Sequence, residues 1–315
     1  MRFIQPLSIV SVLALSASLA HAGAVKTDDD AVYRPTGKGY GELDDSPGAA
    51  AREHARAARP GGTTSNGIDY HGGPVMTDKN GVNVYYIWYG SWSGNSAKTI
   101  LTDFAITLGI GTVPSWWNIS TTYYDSAKIP IQNKVTYSGS VDVDTSQYGK
   151  TLTDAQIKQV VQDSLPYLNG GMPDPKGVYF VLTSADVTAS SGFCTQYCGW
   201  HTHGSIGGAD IKYSFVGNPD RCPSSCSMQQ APNGNTGADG MASIIAHELT
   251  EAASDPDLNA WYDRRGYENA DKCAWTFGTT SGSSGAKYNM TLGSRNFLIQ
   301  QNWVNANGGY CSLSY

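Results

Sequence analysis

Apolar and polar positions fall along this chain in blocks whose lengths and periods predict alternating strands and helices. Gly81 to Gly90 is a β-branched and aromatic run, Val-Asn-Val-Tyr-Tyr-Ile-Trp-Tyr between the two glycines, and predicts a buried strand. Ser96 to Leu108 follows with helical spacing of its apolar positions and Gly109 as a stop. Val135 to Val143 predicts a second strand, and Thr153 to Leu165 a helix capped by Thr151 or Thr153. Gly177 to Thr183 is a compact apolar strand, Lys212 to Gly217 another, and Tyr288 to Tyr315 is strand-like and aromatic. This order predicts an α+β fold: a mixed β-sheet backed by helices, zincin-like in arrangement, in one disulfide-bonded domain.

One more helix closes the series and carries the chemistry. Met241 to Asp257 is dominated by Ala, Ile and Leu and reaches Pro256 without a glycine, with Asp239 as a candidate cap. It contains His247-Glu248-Leu249-Thr250-Glu251, which differs from the zinc-peptidase helix signature at one position, Glu251 standing where the second histidine belongs. At 3.6 residues per turn His247, Glu251 and Asp255 share one stripe. Pro256 biases Asp255 out of helical geometry, so the turn beyond it can swing Asp255 or Asp257 back toward that stripe. One imidazole with two carboxylates suits a divalent ion, and zinc accepts both donor types. The candidate metal ligands are therefore His247, Glu251, Asp255 and Asp257, with Glu248 as general base for hydrolysis. A structural calcium site is the reading that follows if the carboxylates dominate and His247 stays outside.

Other groups add less. His201 and His203 point the same way if their segment is a strand, but the Gly-rich run His201 to Gly208 reads more readily as a hydrogen-bonded loop. Glu268 and Asp271 could supply a third ligand or cap a turn. His71 belongs to a Gly-Gly-Pro turn, and Trp88, Trp92, Trp116 and Trp117 suit a packed core better than sugar stacking. No nucleophile elbow surrounds any serine.

Composition places these elements outside the cell. Arg2, an apolar run from Leu7 to Leu19 and Ala20-His21-Ala22 predict a signal peptide over residues 1–22. Residues 23–67 lack aliphatic periodicity and read as a disordered arm or propeptide, leaving a folded domain over 68–315. The six cysteines, Cys194, Cys198, Cys222, Cys226, Cys273 and Cys311, are an even number in an oxidising compartment, so disulfides are expected rather than a zinc cluster. Cys273 with Cys311 is the first pair expected. A net charge of −6 argues against nucleic acid and anionic membrane as partners. No segment is long and apolar enough to predict a membrane span.

Several separate motifs together resemble the EXORDIUM, or phosphate-induced protein, family of secreted and cell-wall proteins. They are Tyr70 to Met76, Val84 to Gly90, Gly192 to Gly199 with His203-Gly204-Ser205, Val216 to Asn218 with Cys222 to Cys226, Asp239 to Met241, and Asp257 to Tyr262. The resemblance runs from about residue 68 to the C-terminus. It implies an extracellular or cell-wall location and, as partner, an extracellular protein or wall polymer. It implies no particular reaction, so a non-catalytic binding or growth-response role stands beside the metal-dependent hydrolase that the His247 helix suggests.

Overall fold

A computed structural model describes residues 66–109 and 115–315. The expected signal peptide, and the expected arm apart from Asn66 and Gly67, lie outside the described residues.

Five strands form the central sheet: β2 (Val82–Tyr89), β3 (Val135–Val143), β5 (Gly177–Thr183), β7 (Gly199–Ile206) and β8 (Ala209–Val216). Their order is β3-β2-β5-β8-β7, with every pairing parallel except that of the edge strand β7 against β8. The expected mixed sheet and disulfide-bonded fold are thus present. Parallel pairs need covered crossovers, and the central strands β2 and β5 accordingly read as largely apolar runs; every residue of β5 is buried.

Three helices longer than a single turn pack against the sheet: α1 (Ala97–Leu108), α2 (Asp154–Ser164) and α4 (Thr236–Ser254). Of the two expected cap candidates, Thr153 caps α2, through a reciprocal capping box with Gln156. Strand register sorts the faces. Tyr86, whose hydroxyl donates to the Leu101 carbonyl of α1, lies on the same face as Gly199, which abuts Ile244 of α4. α1 and α4 therefore share one face, where they also touch each other. Tyr179, Tyr213, Trp200 and Phe215 fill the opposite side. All four tryptophans considered for sugar stacking are buried.

The segment His201 to Gly208, expected to be a loop, is instead most of β7 and the turn of a hairpin. Ile206 pairs with Ala209 across Gly207 and Gly208, both at positive φ, the backbone of a two-residue hairpin turn. β8 consequently begins at Ala209, ahead of the expected Lys212. α4 also begins earlier than Met241. Asn235, not Asp239, caps it, its side chain accepting from the Ala238 N–H at 3.0 Å, while Asp239 accepts from the Asn233 N–H. The helix ends at Ser254, before Pro256.

Smaller elements fasten the site. β1 (Asp69–Tyr70) pairs with β9 (Trp261–Tyr262), and β12 (Asn302–Val304) pairs with β13 (Tyr310–Ser312). His71 stacks on Tyr262 with ring centroids 3.7 Å apart, a structural role. All six cysteines are paired: Cys194–Cys222, Cys198–Cys226 and the expected Cys273–Cys311. The first two link the turn before β7 to the single-turn helix α3 (Pro223–Cys226), close in sequence to the start of α4.

Candidate metal centre

α4 is buried almost all round, so its polar side chains must find partners inside the protein. His247 and Glu251, one turn apart, meet as the sequence predicts, with Nε2 to Oε1 at 3.2 Å. Their third companion is Asp271, whose Oδ1 lies 3.5 Å from His247 Nε2. The segment after β9 is tied under the helix by its own hydrogen bonds. The Asp271 N–H donates to Glu251 Oε1 at 3.1 Å, and the Asn269 amide donates to the Thr250 carbonyl and the Ser254 hydroxyl. A further bond from the Glu268 N–H to Asp271 Oδ2 folds this segment into a tight turn.

A second histidine enters from the sheet. His201 Nε2, on β7, lies 3.0 Å from Glu268 Oε2 and 3.8 Å from Glu251 Oε2. Two triads with metal-ligand spacing therefore share one residue: His247, Glu251 and Asp271, and His201, Glu251 and Glu268. Glu248 completes the buried shell from the next helical position, its Oε1 packed against Gly199 at the start of β7.

The electrostatics are those of a site short of positive charge. Glu248, Glu251 and Glu268 have no exposed surface and Asp271 is 5% exposed. Among the described residues Glu251 and Asp271 take their ion-pair partners from imidazoles alone. An uncompensated buried carboxylate costs several kcal/mol. Burial, with repulsion from Asp271, pushes the Glu251 carboxyl well up, and burial pushes Asp271 up too. For His247 burial acts downward, yet Glu251, Asp271 and Glu248 together raise it well above its ordinary value. Among the described residues His247 Nε2, Glu251 Oε2 and Asp271 Oδ1 nonetheless have no hydrogen-bond partner. Buried donor atoms left without a partner beside other ligand-type atoms suit a cation placed between them.

The other two ligands suggested by the sequence lie elsewhere. Asp255 ends α4, and its Oδ1 accepts from the Ala260 N–H at 2.6 Å, fastening the turn that leads to β9. Asp257 lies with His203 and Asp210 in a third cluster, where Lys212 Nζ is 2.9 Å from Asp257 Oδ1 and also contacts Asp210. The lysine ammonium already provides the cation there. Burial acts against ionisation of Asp210, but hydrogen bonds from His203 and Lys212 outweigh it and hold the carboxyl at about 2.

A small pocket of about 20 Å³ lies near the centre, with none of the centre's acids or histidines in its lining. It is lined by Ser243 and Ile244, one turn before His247, and by Trp275, Phe277 and Leu298 beyond the Asp271 turn.

Comparison with known proteins bears on the whole domain. Residues 68–313 match the phosphate-induced protein 1 conserved region. The chain is 34% identical over 282 residues to protein EXORDIUM-like 3 of Arabidopsis thaliana, an alignment covering 78% of this chain and 82% of the relative. It is 32% identical over 283 residues to protein EXORDIUM-like 5 of the same plant, covering 78% and 77%. Protein PHOSPHATE-INDUCED 1 of Nicotiana tabacum is 31% identical over 223 residues, covering 62% and 67%. No solved structure matches the chain.

Proposed function

This chain belongs to the EXORDIUM and phosphate-induced protein family, and we propose that it is an extracellular metalloprotein with a hydrolytic, peptidase-like site. His247, Glu251 and Asp271 hold one divalent ion, zinc first among the candidates, and Glu248 is the base. The observation that carries the reading is the convergence of buried donor atoms of these three residues, of which His247 Nε2 and Asp271 Oδ1 have no hydrogen-bond partner among the described residues. Two carboxylates with an imidazole fit zinc or manganese better than calcium, which takes six to eight oxygens. Three formed disulfides accord with an oxidising, extracellular compartment.

The layout supports hydrolysis of an extended peptide. The packing of α4 against a mixed sheet with β7 at its edge supports a zincin-like reading, in which an edge strand holds extended peptide. A bound ion would supply Lewis acidity and make a water more acidic. Glu248 takes a proton from the attacking water as oxygen adds to the carbonyl carbon, then passes it to the departing amine nitrogen as the C–N bond breaks.

Burial of Glu251, Glu268 and His201 favours one other reading, an ion that only fastens the 268–273 turn to α4 in a non-catalytic binding protein. Metal analysis of the gently purified secreted protein, followed by the Glu248→Gln variant, separates the two. The proposal expects near one equivalent or more of metal, and loss of proteolysis in Glu248→Gln with the metal retained. Less than about a tenth of an equivalent removes the metal site. Metal without any Glu248-dependent cleavage of unfolded casein leaves the structural ion.

A further inference from the structure

We propose that the centre takes two divalent ions, not one, with Glu251 as the bridging carboxylate. The inference rests on the ion proposed at His247 and adds a second at His201. Glu251 divides its two oxygens between the triads: Oε1 is 3.2 Å from His247 Nε2, and Oε2 faces His201 Nε2 at 3.8 Å. Glu268 Oε2, at 3.0 Å from the same imidazole nitrogen, completes the second set. Each side thus offers one imidazole, one carboxylate of its own and one oxygen of the shared Glu251.

Two observations beyond the clustering of acids point to the second ion. Glu251 Oε2 lies in a residue with no exposed surface, aims at the His201 side and has no hydrogen-bond partner. A single ion on the Oε1 side leaves that oxygen unsatisfied, and an orphaned buried carboxylate oxygen is costly. Charge gives the second reason. The shell contains four buried carboxylates, Glu248, Glu251, Glu268 and Asp271. One divalent ion neutralises half of that charge, and two neutralise it with both imidazoles neutral, the form in which histidine ligates. Two ions about 3.5 to 4 Å apart, which a shared carboxylate would hold together, can stabilise both the attacking and the departing atoms in hydrolysis.

The third cluster provides an internal contrast. His203, Asp210 and Asp257 have comparable spacing, yet Lys212 supplies their positive charge. Among the described residues neither Glu251 nor Asp271 has a lysine or arginine ion-pair partner.

The experiment uses the secreted protein stripped by chelator and titrated with zinc alone, bound metal being counted after dialysis, with parallel loading by Mn²⁺ for electron paramagnetic resonance. Wild type is expected to bind two equivalents, Glu268→Gln one, and Glu251→Gln fewer than wild type. The two-manganese protein should show the spectrum of an exchange-coupled pair, which depends on no variant folding correctly. One equivalent in wild type, unchanged by Glu268→Gln, overturns the second ion and leaves the first. Two equivalents with uncoupled manganese, both retained in Glu251→Gln, overturn the bridge. No bound metal overturns this inference and the His247 site together.

Discussion

Glu248 Oε1 lies 3.0 Å from the point where Gly199 would carry a Cβ, so the helix carboxylate and the edge strand are in direct contact. The missing side chain of Gly199 lets α4 approach closely enough for Glu248 to face the strand backbone. The same Cβ would meet Ile244 Cγ2 at 2.6 Å and the Phe215 carbonyl at 3.0 Å, leaving it little room to relax.

Gly199→Ala is therefore expected to displace Glu248 and Ile244 and to destabilise the protein by roughly 1–3 kcal/mol, the usual cost of overpacking a filled interior. Hydrolysis should fall while bound metal stays near the wild-type level, because His247, Glu251 and Asp271 do not touch the added methyl in the first instance. Thermal unfolding with metal analysis on the same sample checks both halves. A variant as active and stable as wild type would remove the contact from any functional account.

Asp255 and Asp271 should separate cleanly. Asp271→Asn replaces a charged oxygen facing His247 and is expected to lower metal content sharply at equal protein concentration. Asp255→Ala removes the acceptor for the Ala260 N–H and should cost about 1–3 kcal/mol of stability without reducing metal content. Equal metal loss in both variants would restore Asp255 to the ligand set and count against the geometry described above.

The Cys273–Cys311 disulfide closes a 38-residue separation and follows Asp271 by two positions, so it anchors the turn bearing Glu268 and Asp271 to β13. Replacing both cysteines by serine should lower stability by about 3–4 kcal/mol on the loop-entropy estimate and weaken metal affinity as well. The other two disulfides hold the chain ahead of β7 and α4, so losing either should affect stability more than affinity. Competition titration with a chromophoric zinc chelator distinguishes the two effects.

The cluster beside the centre carries a pH dependence of definite sign. Asp210 is held at about 2 against an ordinary value of 3.8. A depressed carboxyl contributes stability that is fully present above about 3.8 and is lost as pH falls through about 2. His203, Lys212 and Asp257 are the charged or titratable groups that face it, and its side chain is 42% exposed, so screening reduces the contribution to roughly 1 kcal/mol. Urea unfolding of wild type and Asp210→Asn should show a gap at pH 5 that closes toward pH 2.5. A gap independent of pH would mean that Asp210 gains nothing from its partners when ionised.

Local chemistry fixed much of what was legible in advance. Runs of β-branched and aromatic residues identified β2, β3 and β5, and apolar spacing with a stop glycine or a candidate threonine cap identified α1 and α2, because these signals come from residues within one element. The Cys273–Cys311 pair was also expected, and the structure forms it. β7 escaped because histidine, threonine and glycine weaken its strand signature, although Gly207-Gly208 between two candidate pairing runs is itself a hairpin signal.

The pairing of His247 with Glu251 follows from helix geometry alone, since 3.6 residues per turn places them one above the other. Everything else at the centre is contributed across the fold. His201 enters through the register of β7 against β8, and Glu268 and Asp271 through a turn tied to α4 by Asn269 and to β13 by a disulfide. Asp255 and Asp257, though nearer in sequence, are drawn away by the Ala260 amide and by Lys212. A linear pattern specifies which side chains a helix presents along one stripe; which partners meet that stripe depends on chain closure and on where buried charge finds its compensation, and only the tertiary structure decides that.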